Sequence, residues 1–245
     1  MKAYGVVIFL AIGAFFAWMD FWLDVPKLES YPPAAISISP HEYQGTKSIS
    51  SLDLLVLYFV PKDRAPVDDE IWKTAVGDAV RKLKAFHDVQ LQHRSTLNVA
   101  VRQTPVIGRQ DGKAYDTDDT NEGNPAGLRA IGEEIDKRML DGGDLRDALS
   151  QFNGRKPIFY IVYEGVGSSG SPGGAALINR RFLTDTTTIA YGGSYFVHEF
   201  YHTIGVPDGY DSEDRSFESD IMGLGRRRPL DVNFLSATTL TSLGF

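Results

Sequence analysis

Residues 52–60 read Leu-Asp-Leu-Leu-Val-Leu-Tyr-Phe-Val, with one charge in nine positions, and Pro61 follows. An extended segment that is apolar on both faces must be covered on both faces, as in a sheet lying between helices. That requirement points to a layered α/β domain. The chain can supply the cover: among 245 residues, 42% are hydrophobic and 23% charged, values of a globular protein with a sizeable core.

The rest of the pattern agrees. Residues 68–94 predict a long helix, with Asp68, Asp69 and Glu70 at its positive end. Ile71, Ala75, Ala79, Leu83 and Phe86 recur along it at spacings of three and four. Residues 97–101 predict a second strand and 108–127 a polar loop. Residues 128–152 predict one or two helices, broken near Gly142-Gly143, and 158–163 (Ile-Phe-Tyr-Ile-Val-Tyr) a third strand. Short strands are expected at 175–182 and 186–191, a helix at 194–204 and a C-terminal helix at 233–243. The order β-α-β-α-β-β-β-α-α gives a mixed α/β (α+β) domain over 51–245. Its sheet is expected to be mostly parallel, with at least one antiparallel edge strand.

Residues 1–23 are of a different kind. Positions 3–19 carry no charge, follow Lys2 and precede Asp20 and Asp24. Seventeen residues span roughly 26 Å as a helix, near the lower limit for a bilayer. Trp18 and Trp22 suit a membrane interface, and the charge asymmetry leaves the amino end inside. The segment is expected to be a signal anchor or a cleaved signal peptide, with a buried soluble helix as the alternative. The domain would then be exported, facing outward on the membrane or secreted. Residues 24–50, with Pro26, Pro32, Pro33 and Pro40, read as a tether, in which His41 is solvated.

Two counts narrow the chemistry. A net charge of −7 argues against a nucleic-acid partner, which needs a basic face. The absence of cysteine excludes disulfides, thiolate metal sites and cysteine nucleophiles. Any metal must be held by carboxylates and by the five histidines, at 41, 87, 93, 198 and 202. His87 and His93 fall near the end of the long helix, where a cationic cap or a surface position accounts for them.

The informative stretch is His198-Glu199-Phe200-Tyr201-His202-Thr203-Ile204-Gly205-Val206-Pro207-Asp208. Histidines at i and i+4 lie one above the other on a helix, so both imidazoles can meet one ion. Glu199, about 100° further round, can stand beside the water at an open coordination position and take its proton. Gly205 permits a left-handed turn that ends the helix and lets Asp208 return to the same ion. Three protein ligands and one open position is the pattern of catalytic zinc. Asp211 is an alternative third ligand.

These residues resemble the zinc motif of the metzincin clan of metallopeptidases, in the form with Asp as third ligand found in snapalysin-like and immune-inhibitor-A-like peptidases. Gly205-Val206-Pro207-Asp208-Gly209-Tyr210-Asp211 is similar to their continuation, and Ser219-Asp220-Ile221-Met222-Gly223 to the clan's methionine turn. The resemblance implies a metzincin-like fold, Zn2+ on His198, His202 and Asp208, Glu199 as general base and acid, and Met222 as a hydrophobic floor. It also implies an edge strand within 173–182 that pairs with a peptide substrate. Leu224 stands where some members carry a tyrosine near the metal, so the group that polarises the carbonyl beside zinc is left open.

Other features are weaker. Gly165-Val166-Gly167-Ser168-Ser169-Gly170 has dinucleotide-loop spacing but no helix directly after it. The loop 116–121, Asp-Thr-Asp-Asp-Thr-Asn, is a weak calcium candidate that lacks the EF-hand glycine and glutamate. Arg180, Arg181 and the run Arg226-Arg227-Arg228 read first as solvated charges and second as contacts to acidic substrate groups. No Gly-x-Ser-x-Gly elbow occurs. The expectation is a zinc-dependent endopeptidase acting on a peptide or protein. The alternatives are a non-catalytic zinc-stabilised peptide-binding module and a metal-dependent hydrolase of another bond.

Overall fold

The computed structural model describes residues 49–116, 125–140, 143–167, 169–171, 174–209 and 219–245. The expected anchor, most of the tether, His41, Asp211 and positions 117–121 of the calcium candidate lie outside them. Among the described residues no helix is long and apolar enough to cross a membrane.

The elements in chain order are β1 (Ser51–Val60), α1 (Asp69–Gln90), β2 (Thr96–Val101), β3 (Val106–Ile107), α2 (Pro125–Leu140), β4 (Ile158–Tyr163), β5 (Ala175–Asn179), α3 (Arg181–Thr184), α4 (Ile189–Thr203) and α5 (Ala237–Ser242). The sheet runs β2-β1-β4-β5, and β3 continues the β2 edge of β1. The apolar run that opens the domain is its central strand. Leu54, Val56, Tyr58 and Val60 enter one core with α1 and α4. Leu55, Leu57 and Phe59 enter a second core with α2 on the opposite face. A strand alternates its side chains between faces, so two cores require an apolar residue at nearly every position.

Helix α1 begins as expected. The Asp68 carboxylate accepts from the Glu70 amide at 2.8 Å, and Trp72, Val76, Ala79, Leu83 and Phe86 form its buried stripe. The break expected near Gly142-Gly143 separates α2 from a 3-10 turn at Arg146–Phe152.

Three expectations are corrected. Among the described residues all the ladders are parallel. In place of an antiparallel edge strand there is one antiparallel bridge, Gly170 to Leu177, on the outer edge of β5. Residues 186–191 form no strand. Asp185 accepts from the Thr187 amide at 2.9 Å and hydroxyl at 2.8 Å, and its carbonyl accepts from the Ile189 amide at 2.8 Å. That aspartate turn starts α4 and outweighs the β propensity of three threonines. The C-terminal helix is also shorter, because Phe234 pairs in a bridge with Asp220 and Ser236 caps the helix by accepting from the Thr239 amide at 3.2 Å.

Helix α4 fits tightly onto this frame. A Cβ at Gly192 would stand 1.8 Å from the Phe182 carbonyl oxygen, so only glycine permits that approach. Tyr160 of β4 stacks on Phe196 at 3.9 Å between centroids and donates to the Phe196 carbonyl at 2.9 Å. Phe196, Val197, Phe200 and Tyr201 are buried, which fixes the rotation of the helix about its axis.

Candidate metal centre

His198 and His202 sit one turn apart on α4, and each ring is held through Nδ1. His198 Nδ1 is 2.9 Å from the Ile221 carbonyl, and His202 Nδ1 is 2.7 Å from the Val206 carbonyl. A carbonyl only accepts, so both Nδ1 atoms carry the proton. In the neutral rings both Nε2 atoms therefore present lone pairs. Those two atoms are 3.1 Å apart. Asp208 Oδ1 lies 3.3 Å from His198 Nε2 and 3.1 Å from His202 Nε2.

Three electron-pair donors thus converge on one point, an arrangement that repels itself unless a cation or protons occupy the centre. A tetrahedral zinc with bonds of about 2.0–2.1 Å places its ligands about 3.3 Å apart, and the donor set matches that spacing. His198, His202 and Asp208 are also the one group of three metal-capable side chains that converges in this way among the described residues.

The local fold explains the convergence. Gly205, at φ +97°, closes α4: its amide donates to the His202 carbonyl at 3.0 Å, and the Val206 amide to the Tyr201 carbonyl at 3.2 Å. The chain then reverses past Asp208. The Gly209 amide donates to the Met222 carbonyl at 2.8 Å, which ties the Asp208 segment to the methionine turn. Met222 is fully buried. Asp220, also buried, holds that turn by accepting from the Met222 amide at 3.0 Å and the Thr239 hydroxyl at 2.6 Å.

Electrostatics follow from these contacts. Burial alone would raise the Asp208 carboxyl, but its contacts with His198 and His202 hold it far below the usual carboxylate range. Burial alone would lower His202, and contact with Asp208 and Glu199 outweighs it, so His202 holds a proton more tightly than free imidazole. Glu199 is 5% exposed, and burial pushes its pKa up. Its Oε2 has no partner among the described residues. An acidic group that is buried, raised and half-satisfied is suited to hold and release a proton.

Other residues named from the sequence stand elsewhere. Arg180 forms a half-buried pair with Glu164, with the second contact at 3.1 Å, and donates to Thr184 at 2.5 Å, so it is no solvated edge charge. Arg226 is buried, whereas Arg227 and Arg228 are exposed. Asp116 of the calcium candidate is engaged by Arg64, the Tyr163 hydroxyl and the Val166 amide. His93 is exposed and pairs with Asp88 at 2.6 Å. His87, expected at the surface or as a cap, is 1% exposed, because it continues the stripe of Leu83 and Phe86. The expected substrate edge is occupied in part by the Gly170 bridge. The part Asp220 plays in holding the methionine turn was missed; its only sequence signal is its place within that motif.

No family model and no curated protein matches the chain. Solved structures do. Wild-type OgpA from Akkermansia muciniphila matches at 15% identity and a TM-score of 0.49, over 84% of this chain and 62% of that one. Catalytically inactive OgpA in complex with an O-glycopeptide matches at 14% and 0.48, over the same shares. Metalloproteinase-II from Bacteroides fragilis matches at 13% and 0.47, over 87% of this chain and 55% of that one. The chain therefore spans less than two thirds of the length of each.

Proposed function

We propose that the chain is a zinc-dependent endopeptidase whose site is His198, His202, Asp208 and Glu199. The observation that carries this reading is the meeting of two Nδ1-protonated imidazoles and a carboxylate oxygen at 3.1–3.3 Å, beside a buried glutamate. His198, His202 and Asp208 would hold the ion and leave one position open. Zinc there supplies a Lewis acid that lowers the pKa of a water at that position and polarises the scissile carbonyl.

The chain's own groups do the rest. Glu199 accepts the proton of the attacking water at its carboxylate and then delivers it to the departing amine. Burial favours its protonated form, which suits it to hold the proton between the two transfers. The Ile221 and Val206 carbonyls keep both imidazoles in the ligating tautomer. The 1–23 segment would export the domain and, if retained, anchor it outside the cell.

The test is cleavage of a peptide library by the full chain, purified in detergent with zinc, beside Glu199→Gln. The reading expects cleavage by the parent and a loss of roughly 10²- to 10⁴-fold in the variant. Equal cleavage by both contradicts Glu199 as base. Zinc binding without cleavage by either favours a zinc-stabilised binding module, and cleavage of esters alone a hydrolase of another bond.

A further inference from the structure

We propose that Asp220 is a positioning residue for the metal centre, because it fixes the peptide plane whose carbonyl orients the His198 ring. The inference rests on the reading of His198, His202 and Asp208 as ligands of one ion.

The Ile221 carbonyl and the Met222 amide are the two ends of one peptide group. That group is planar, and its C=O and N–H point in opposite directions. Asp220 Oδ1 accepts from the Met222 amide at 3.0 Å. The carbonyl at the other end is 2.9 Å from His198 Nδ1. Fixing the amide end therefore fixes the direction from which the carbonyl holds the ring. The next carbonyl, that of Met222, accepts at 2.8 Å from the Gly209 amide, beside Asp208. One short turn thus reaches two of the three ligands.

Asp220 is itself held from several sides. It is fully buried, and its second oxygen accepts from the Thr239 hydroxyl at 2.6 Å and the Ser236 amide at 3.3 Å. Its backbone carbonyl accepts from the Gly223 and Gly225 amides at 2.9 and 3.0 Å. A Cβ at Gly225 would stand 2.4 Å from that oxygen, so glycine alone permits the approach. The Ile221 amide donates to the Phe234 carbonyl at 3.0 Å, and the Leu235 amide to Gln90 Oε1 of α1 at 2.9 Å. The turn is thereby tied to α1 and to the start of α5. Burying a carboxylate is costly unless its oxygens are satisfied, and here three donors satisfy them. Groups that orient a ligating histidine tune metal affinity, and Asp220 acts one peptide further out.

The experiment measures zinc affinity of the full chain by competition with a chromophoric chelator, at a temperature where every variant is folded. Asp220→Ala should weaken zinc binding by about 10- to 100-fold. Asp220→Asn keeps an acceptor for the Met222 amide, and the Thr239 hydroxyl can turn to accept from its Nδ2, so it should recover most of the loss. Ile135→Ala, in the core on the opposite face of the sheet, should lower Tm and leave zinc affinity at the parental value. Metal-free crystal structures of parent and Asp220→Ala should show the Ile221 carbonyl turned away from His198 in the variant. Unchanged affinity in Asp220→Ala, an equal loss in Asp220→Asn or in Ile135→Ala, or an unmoved carbonyl would each overturn the proposal. Should Asp220→Ala not fold, Thr239→Val removes the 2.6 Å contact and keeps the carboxylate. It should give a smaller loss of the same sign, and unchanged affinity there would overturn the proposal. If the parent takes up no zinc, the metal reading fails, and the metal-free structures still decide whether Asp220 orients His198.

Discussion

Acid should destabilise this protein through His87, a residue remote from the histidine motif. His87 lies between α1 and α4, edge-on to Phe200 at 5.7 Å and stacked near Tyr201 at 6.0 Å between centroids. Nδ1 is 3.2 Å from the Tyr201 hydroxyl, and Nε2 has no partner among the described residues. Burial pushes its pKa from 6.5 down to about 4, with Asp88 pulling weakly the other way. Between those values the unfolded chain binds a proton that the folded one refuses. Stability is therefore complete above 6.5 and falls as pH drops toward 4. At about 1.4 kcal/mol per pH unit the full loss is about 3 kcal/mol, of which about 2 is reached by roughly pH 4.5. His87→Leu has no proton to take up. Urea unfolding of both proteins, metal-free, from about pH 7 to about 4.5 isolates the effect, because groups common to both cancel in the difference. The variant should gain about 2 kcal/mol relative to the parent over that range. Parallel stability curves would refute a buried neutral His87.

Further outcomes are expected. Asp208→Asn should weaken zinc binding by more than the roughly 10- to 100-fold that loss of an outer-shell partner costs, as read by competition with a chromophoric chelator. Gly192→Ala should destabilise by about 2–3 kcal/mol in urea unfolding, because its Cβ would meet the Phe182 carbonyl oxygen. Gly77→Ala, on α1 with nothing within 4 Å of the new Cβ, should stabilise by about 1 kcal/mol in the same assay. Removing zinc with a chelator should lower Tm in proportion to the logarithm of the free metal concentration, and His202→Ala should abolish that dependence.

Legibility divides along sequence distance. The histidine site is written within eleven consecutive residues, and helix period plus one glycine turn brings His198, His202 and Asp208 together. The central strand was legible because double-sided burial leaves an unbroken apolar run. What could not be read depends on partners far along the chain. His87 is buried because α4 covers it, and a histidine near a helix end looks alike whether covered or solvated. The threonines at 186–188 invite a strand, and the Asp185 side chain decides otherwise. The parallel direction of β5 depends on the crossover from β4, which short apolar runs do not encode. Arg180 looked solvated because Glu164, its partner, lies sixteen residues away.

The most direct test is X-ray absorption at the zinc edge of the zinc-loaded full chain. Three protein ligands with an open position require two imidazoles and light oxygen donors at about 2.0–2.1 Å. His202→Ala should remove one imidazole from that shell. A shell unchanged by His202→Ala, or a chain that takes up no zinc, would contradict the metal centre on which the account depends.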